Sequence, residues 1–363
     1  PRGDRTERVQ NRRGGRVVAD LEPIEPSKAV DLYLRGRDDI SENTRESQLY
    51  DLRAFVAWTD EVGLTNMNEL SGRDLYEFRV WRRDGGYSGQ EIETVTLRGT
   101  LATVRAFLRF CATIDAVEDE LWDKLPLPVA GRDEQVSDST LDPERATAIL
   151  EHLDKYKYAS RQHVILLLLW HTGCRSGAVR GLDLGDLDLD GTRARGEGPA
   201  IHFVHRPDTG TPLKNKGPGT RWNAISQEVA TVLRDYIDGP RKDATDEHGR
   251  RPLLSTRQGR IGSSSIRTTL YRVTRPCWRG EACPHDEDPD TCEFTETGHM
   301  SRCPSARSPH DVRSGRVTAY RRSNVKRDLV EDRLNASDDV LDKHYDRRSE
   351  REKAAQRRRY FDI

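Results

Sequence analysis

The chain has no apolar run approaching the roughly 20 residues that a membrane-spanning helix needs. That argues against a helical membrane protein. Neither charge is in excess: 60 Lys and Arg face 61 Asp and Glu, for a net charge of −1 and a pI near 6.9. The whole surface is therefore not a polycation made for nucleic acid, although a neutral sum can hide a basic groove beside an acidic back. Lysine is scarce, with ten among the 60 basic residues, so arginine carries the positive charge. Hydrophobic residues make up 34% and mean hydropathy is −0.83, which limits the chain to a modest core under much charged surface. No Gly-x-x-x-x-Gly-Lys-Ser/Thr loop is present, so a P-loop nucleotide engine is excluded. The sequence opens Pro1-Arg2-Gly3-Asp4 without the apolar core of a signal peptide, and a cytoplasmic location is expected.

At 363 residues, two domains are expected. Residues 1–24 are charged, rich in Gly and Arg and without an apolar period, and read as a flexible arm. Residues 25–126 carry four helical patterns. Ala29, Val30, Leu32 and Tyr33 mark the first, and Leu52, Phe55, Val56 and Trp58 the second. Leu75, Phe78 and Trp81 mark the third, with Ser71 as N-cap and Gly85-Gly86 as its break. The fourth runs from Thr94 to Ile114. Residues 127–140 are polar and read as a linker. A second unit covers 141–346 and contains a cysteine-rich insert at 275–304, and 347–363 forms a charged tail. In the second unit Pro143 sits at the first turn of a helix. Ile201–Val204 and Trp222–Ile225 read as short strands around a turn-rich loop.

The chemistry-bearing residues fall late in the chain. His310 and Arg313 stand three apart, and so share a face if the segment is helical. Tyr345 follows within Leu341-Asp342-Lys343-His344-Tyr345. Upstream, Arg175 follows an apolar helix in His171-Thr172-Gly173-Cys174-Arg175. Two arginines can grip the oxygens of one phosphodiester with planar forks. A tyrosine can attack it once its proton is removed or its anion stabilised. Set against this, His310 alone reads as a surface histidine, and Arg175 as an ion-pair partner of Asp183 or Asp186.

In order and spacing these motifs resemble the tyrosine recombinase, or phage integrase, family. The stretch 166–188 resembles its pattern of an apolar helix, Thr-Gly-x-Arg and a Leu-x-Leu-x-x-x-Asp end. His310 to Arg313 matches its His-x-x-Arg. The family usually reads Leu-Gly-His before its tyrosine, with the nucleophile nine residues after that His. Nine residues before Tyr345 stands Ala336, so the spacing fits while the third histidine is absent, and with it one phosphate hydrogen bond. The resemblance spans roughly residues 27–345. The arginine-rich, lysine-poor composition and the cysteine insert suggest an archaeal branch, haloarchaeal in type.

The resemblance implies a mainly α fold with a small β-sheet: a helical, SAM-like core-binding domain and a tyrosine recombinase catalytic domain. It implies site-specific DNA cleavage and rejoining through a 3′-phosphotyrosine, with Arg175, Lys214, His310, Arg313 and Tyr345 as the catalytic set. Lys214 is preferred for its place near a strand end, whereas Lys216 has the commoner spacing to Arg221. Lys216 and His344 are the alternates, and Tyr360 is a rival nucleophile without a matching motif. The implied partners are double-stranded DNA at attachment or repeat sites and further copies of the chain, as a tetramer on DNA and a monomer or dimer off it. No cofactor is implied for catalysis. A non-catalytic DNA-binding relative, a type IB topoisomerase-like nicking enzyme and a zinc-stabilised interaction protein are the competing readings.

Four of the six cysteines, Cys277, Cys283, Cys292 and Cys303, fall in the insert, with His285 and His299 between them. Disulfides are rare in a cytosolic chain, and a stretch this polar buries little apolar surface. Structural zinc on four thiolates would hold it together. Disulfides, or three Cys and one His, are the alternatives. Cys111 and Cys174 lie in apolar helical contexts and read as core.

Overall fold

The computed structural model describes residues 21–129, 139–193, 198–345, 348, 349, 351 and 354. Most of the expected arm and tail, including Tyr360, and most of the expected linker lie outside these. Two compact units divide between residues 137 and 138. The described residues are mainly α-helical with small antiparallel sheets, an α+β fold. None of the described helices is long and apolar enough to cross a membrane.

In the first unit, four helices, α1 (Pro26–Arg35), α2 (Glu42–Val62), α3 (Gly72–Arg83) and α4 (Thr94–Thr113), correspond to the four apolar periods. Their ends are set locally. Ser41 caps α2, and Ser71 with Asp74 forms a reciprocal capping box on α3. The apolar faces meet in an aromatic cluster. Phe78 lies 5.3 Å from Phe55 and 5.6 Å from Trp58 between ring centroids, and Phe107 lies 5.9 Å from Phe55. Asp51 accepts hydrogen bonds at 2.8 Å from the hydroxyls of both Thr100 and Thr103, tying α2 to α4.

The second unit is built around α6 (Arg161–Thr172), whose apolar residues run nearly all round it, as a central helix requires. Before it comes α5 (Pro143–Tyr156), with Asp142 as its N-cap and Pro143 in the first turn as expected. After it come α7 (Ser176–Arg180) and three antiparallel strands in the order β1 (Leu187–Asp188), β2 (Ala200–Phe203) and β3 (Arg221–Ala224). The two expected strands form one residue earlier than their apolar runs suggested, and β1 is an addition. A two-residue strand carries too little pattern to be read from sequence. Then follow α8 (Gln227–Asp238), a small hairpin of β4 (Ser255–Thr256) and β5 (Gly259–Arg260), and α9 (Ser263–Val273). The insert separates α9 from α10 (Pro309–Arg322), which is followed by α11 (Arg327–Leu334) and α12 (Asp338–His344). α10 packs directly on α6. Gly315 permits that contact, because a Cβ there would stand 1.8 Å from the Leu141 carbonyl oxygen and 3.2 Å from the Trp170 ring.

Candidate active site

The N-terminus of α10 is fixed by Ser308, whose hydroxyl accepts from the Asp311 N–H while Asp311 accepts from the Ser308 N–H, with Pro309 in the first turn. Helical geometry then puts His310 at the exposed end of α10 and carries Arg313 inward on the same face. Arg313 is 2% exposed. Its Nη1 donates to the Gly173 carbonyl at 2.8 Å, and both terminal nitrogens reach the Leu334 carbonyl, at 3.4 and 3.3 Å. Its buried Nε has no partner among the described residues.

Tyr345 closes the other side. It is 5% exposed, with its ring centroid 4.8 Å from the Arg313 guanidinium carbon and 5.0 Å from the His310 ring. The backbone carbonyl of Tyr345 accepts from the Thr318 hydroxyl at 3.1 Å, which pins the end of α12 to α10. Burial lowers the affinity of Arg313 for its proton, Tyr345 opposes that shift, and the nearby charge of Arg175 adds to it. Arg175, Arg313, His310 and Tyr345 are thus brought together. Arg175 is half-buried at the N-terminus of α7. Asp183 and Asp186 are taken by other cations: Arg206 pairs with both, and Arg250 and Arg260 pair with Asp183.

More guanidinium groups converge here than the motifs announced. Arg221, on β3, is driven to a lower pKa by burial; Cys174 opposes that shift, and the charges of Arg175 and Arg333 add to it. Arg316, one turn beyond Arg313, stacks over the rings of Tyr320 and Trp170 at 4.2 and 5.6 Å. Among the described residues, Arg175, Arg221, Arg313, Arg316 and Arg333 have no carboxylate within salt-bridge distance. Clustered cations without counter-charges favour an anion. Nearby His171 is pushed down to about 4 by burial, with Arg333 and Arg316 reinforcing it, so it is neutral at pH 7. Arg316 and Arg333 escaped the sequence reading as site residues, while Arg221 and His171 entered it only as markers of spacing and motif. For the arginines the remaining signal was the local density of arginine.

Lys214 and Lys216 lie exposed on the loop between β2 and β3, and neither has an ion-pair partner among the described residues. The loop is anchored between them. Asn215 donates to the Asn335 carbonyl at 2.8 Å, and Asn335 donates back to the Pro218 carbonyl at 2.9 Å. Lys216 adopts a φ of 55°, which costs a non-glycine residue strain. Lys214 carries no such distortion. The His344 side chain lies outside the described residues. Ala336 packs beside the small apolar cluster of Val317, Tyr320, Val330, Leu334, Leu341 and Tyr345. It also lines an open groove of about 570 Å³ with Arg221, Asn223, Arg333 and Asn335.

The expected zinc finds no preformed site. Among the described residues no three His, Cys, Asp or Glu side chains are gathered closely enough to grip a metal ion as they stand. The four insert cysteines are unpaired thiols that surround one small cavity. Cys111 and Cys174 are buried core thiols, as expected.

Comparison with known proteins agrees with this fold. A family profile described as the phage integrase N-terminal SAM-like domain matches residues 31–113. The tyrosine recombinase XerC of Pseudomonas syringae is 25% identical over 159 residues, 44% of this chain and 50% of that protein. XerD of Mycobacterium tuberculosis is 28% identical over 251 residues, 58% of this chain and 78% of that protein. The chain therefore spans half the length of the first relative and about three quarters of the second. Among solved structures, the Tn1549 transposon integrase in complex with circular intermediate DNA superposes with a TM-score of 0.60 at 15% identity, covering 92% of this chain and 99% of that one. A lambda integrase dimer bound to a core site gives a TM-score of 0.59 at 13% identity, covering 91% and 79%. At those identities the structures speak for the fold, and the sequence relatives speak for descent. The chain is similar to the tyrosine recombinases XerC and XerD, and its residues 31–113 match the phage integrase N-terminal SAM-like domain.

Proposed function

We propose that this chain is a site-specific DNA recombinase that cuts and rejoins double-stranded DNA through a 3′-phosphotyrosine. The observation that carries the reading is the set of guanidiniums without carboxylate partners gathered near Arg313, which rests against the Tyr345 ring. Arg175 and Arg313 hold the scissile phosphate and offset the charge that grows on its non-bridging oxygens as phosphorus becomes five-coordinate. The Tyr345 oxygen attacks phosphorus and gives up its proton. A tyrosine hydroxyl normally loses that proton near pH 10, so the flanking cations are what make attack feasible at neutral pH. His310, beside the Tyr345 ring, hydrogen-bonds the phosphate and helps remove the proton. Lys214 protonates the departing 5′ oxygen.

The phosphorus–oxygen bond that breaks is replaced by one of similar energy to tyrosine, so a 5′ hydroxyl from a partner strand reverses the step without ATP. None of these steps calls for a metal. Exchange between two duplexes needs four copies of the chain on the DNA, and a chromosomal or viral DNA substrate places the work in the cytoplasm. The domain roles follow the same reading: 25–126 as the core-binding domain, 127–140 as the linker and 141–346 as the catalytic domain.

The test is incubation with nicked suicide duplexes bearing candidate attachment sequences, beside the Tyr345→Phe variant. A denaturation-resistant protein–DNA adduct formed by the parent alone is expected. Binding of a verified site without any adduct sinks the catalytic reading in favour of a DNA-binding relative, with Ala336 the first residue to examine. Relaxation of supercoiled DNA without strand exchange between duplexes points instead to a topoisomerase.

A further inference from the structure

The insert has little of what normally holds 30 residues in place. Between Arg275 and Pro304 its regular structure consists of three short 3₁₀ turns, Pro276–Arg279, Glu293–Thr295 and Met300–Arg302. From Glu281 to Gly298 no residue is buried. The apolar contribution is small: Met300 and Cys303 are buried, and Trp278 packs at the edge of the main core. Ordering a residue costs on the order of 1–2 kcal/mol of backbone entropy. A segment this exposed does not recover that through apolar burial.

Its centre is a cavity of about 10 Å³, room for one water-sized sphere and too small for an organic ligand. Cys277, Cys283, Cys292 and Cys303 all line it, although they come from four separate turns of the chain. Isolated thiols behave as small apolar groups and end up in cores. These four instead surround a void in a polar segment. A second observation concerns charge. Arg275 also lines the cavity and is 4% exposed. One of its terminal nitrogens donates to the Phe294 carbonyl, but its Nε has no partner and no carboxylate pairs with it among the described residues. A buried guanidinium beside neutral thiols is an uncompensated charge, which is expensive. Beside thiolates it is compensated.

We propose that Cys277, Cys283, Cys292 and Cys303 bind a structural zinc ion as four thiolates, with Arg275 donating to the sulfur shell from outside it. The thiols release their protons to solvent on binding, and the lining closes inward until each sulfur lies about 2.3 Å from the metal. Four thiolates on Zn²⁺ leave a net charge of −2, which the buried guanidinium partly offsets. Thiolates select zinc over the harder cations. His285 also touches the cavity, but its Nε2 is already engaged, 2.8 Å from the Ser305 hydroxyl. The site braces α10, since Cys303 stands seven residues before His310 and the Ser305 carbonyl accepts from Arg145 of α5 at 2.5 Å.

The experiment is metal analysis of the full chain purified without chelator, followed by replacement of the bound ion with cobalt(II). About one zinc per chain is expected, with a cobalt spectrum showing strong thiolate charge transfer and tetrahedral four-sulfur bands. The Cys283→Ser, Cys292→Ser double variant should lose the metal. Should that variant not fold, the cobalt spectrum of the parent still decides. Zinc-free protein whose reduced apo form does not take up added Zn²⁺ overturns the proposal. So do two disulfides between these cysteines, or a cobalt spectrum of three sulfurs and one nitrogen. None of these readouts depends on recombination, so the proposal stands or falls apart from the catalytic reading.

Discussion

At the scale of single residues, the site depends on close approaches that leave no room for an added carbon. Gly315 lets α10 lie against Leu141 and Trp170, and Arg313 is placed by that contact two residues earlier. Gly315→Ala is expected to destabilise the chain by about 1–3 kcal/mol, since the obstruction is backbone rather than a movable side chain. Urea denaturation followed by circular dichroism reads this directly, and an unchanged midpoint would show that α10 can shift freely. Gly173 plays a similar part at the end of α6. Its φ of 65° is left-handed, a Cβ there would meet Leu334 at 2.5 Å, and its carbonyl receives Arg313. The motif Thr-Gly-x-Arg was visible in the sequence. That its glycine serves Arg313 as well as Arg175 was not, because the two arginines are 138 residues apart in the chain.

At the scale of elements, α11 acts as a junction through its C-terminal carbonyls. A helix leaves its last carbonyls without intrahelical partners. Here side chains from elsewhere take them up. Arg221 and Asn223 on β3 each donate to the Arg333 carbonyl at 3.1 Å, Arg313 donates to Leu334, and Asn215 donates to Asn335. The lysine-bearing loop, the buried arginine and the segment leading to Tyr345 are therefore joined at three successive residues. Asn335 holds the left-handed turn with a φ of 48°, which asparagine tolerates better than most residues. Asn335→Ala is expected to weaken the loop anchor and slow adduct formation about tenfold, while DNA affinity changes little. Single-turnover cleavage beside a filter-binding measurement separates the two, and an equal loss of both would refute a positioning role for Asn335. The helices themselves were legible because apolar residues recur at helical spacing over many turns. The junction was not, because it is made by backbone carbonyls, which sequence patterns do not display.

At the scale of the whole molecule, the near-zero net charge conceals a division of labour. Around the active site, arginines gather without counter-charges. Elsewhere in the same unit carboxylates and arginines are tightly matched, as in the network of Asp183, Asp186 and Asp246 with Arg206, Arg250 and Arg260. Burial alone would raise the Asp246 pKa, but hydrogen bonds from Arg260 and from the backbone N–H groups of Arg250 and His248 lower it to about 2. An unfolded aspartate titrates near 3.9, so the folded state holds its proton less tightly. The resulting stability, on the order of 2 kcal/mol, is present above about pH 4 and lost as pH falls toward 2. Asp246→Asn should flatten the stability profile over that interval, and an unchanged slope would mean the network is not coupled to folding. Composition could show that positive and negative charges balance. It could not show which arginines are paired, and that pairing separates the anion site from the scaffold.

The burial of Tyr345 carries a last consequence. In the proposed role of nucleophile, a tyrosine that is 5% exposed beneath a histidine and an arginine is sheathed until its target arrives. Reactivity is then conditional on an incoming phosphate that competes for the guanidinium now resting against the ring. The protein would carry its cutting edge folded inward, harmless to passing chemistry and released only by the anion it is built to grip.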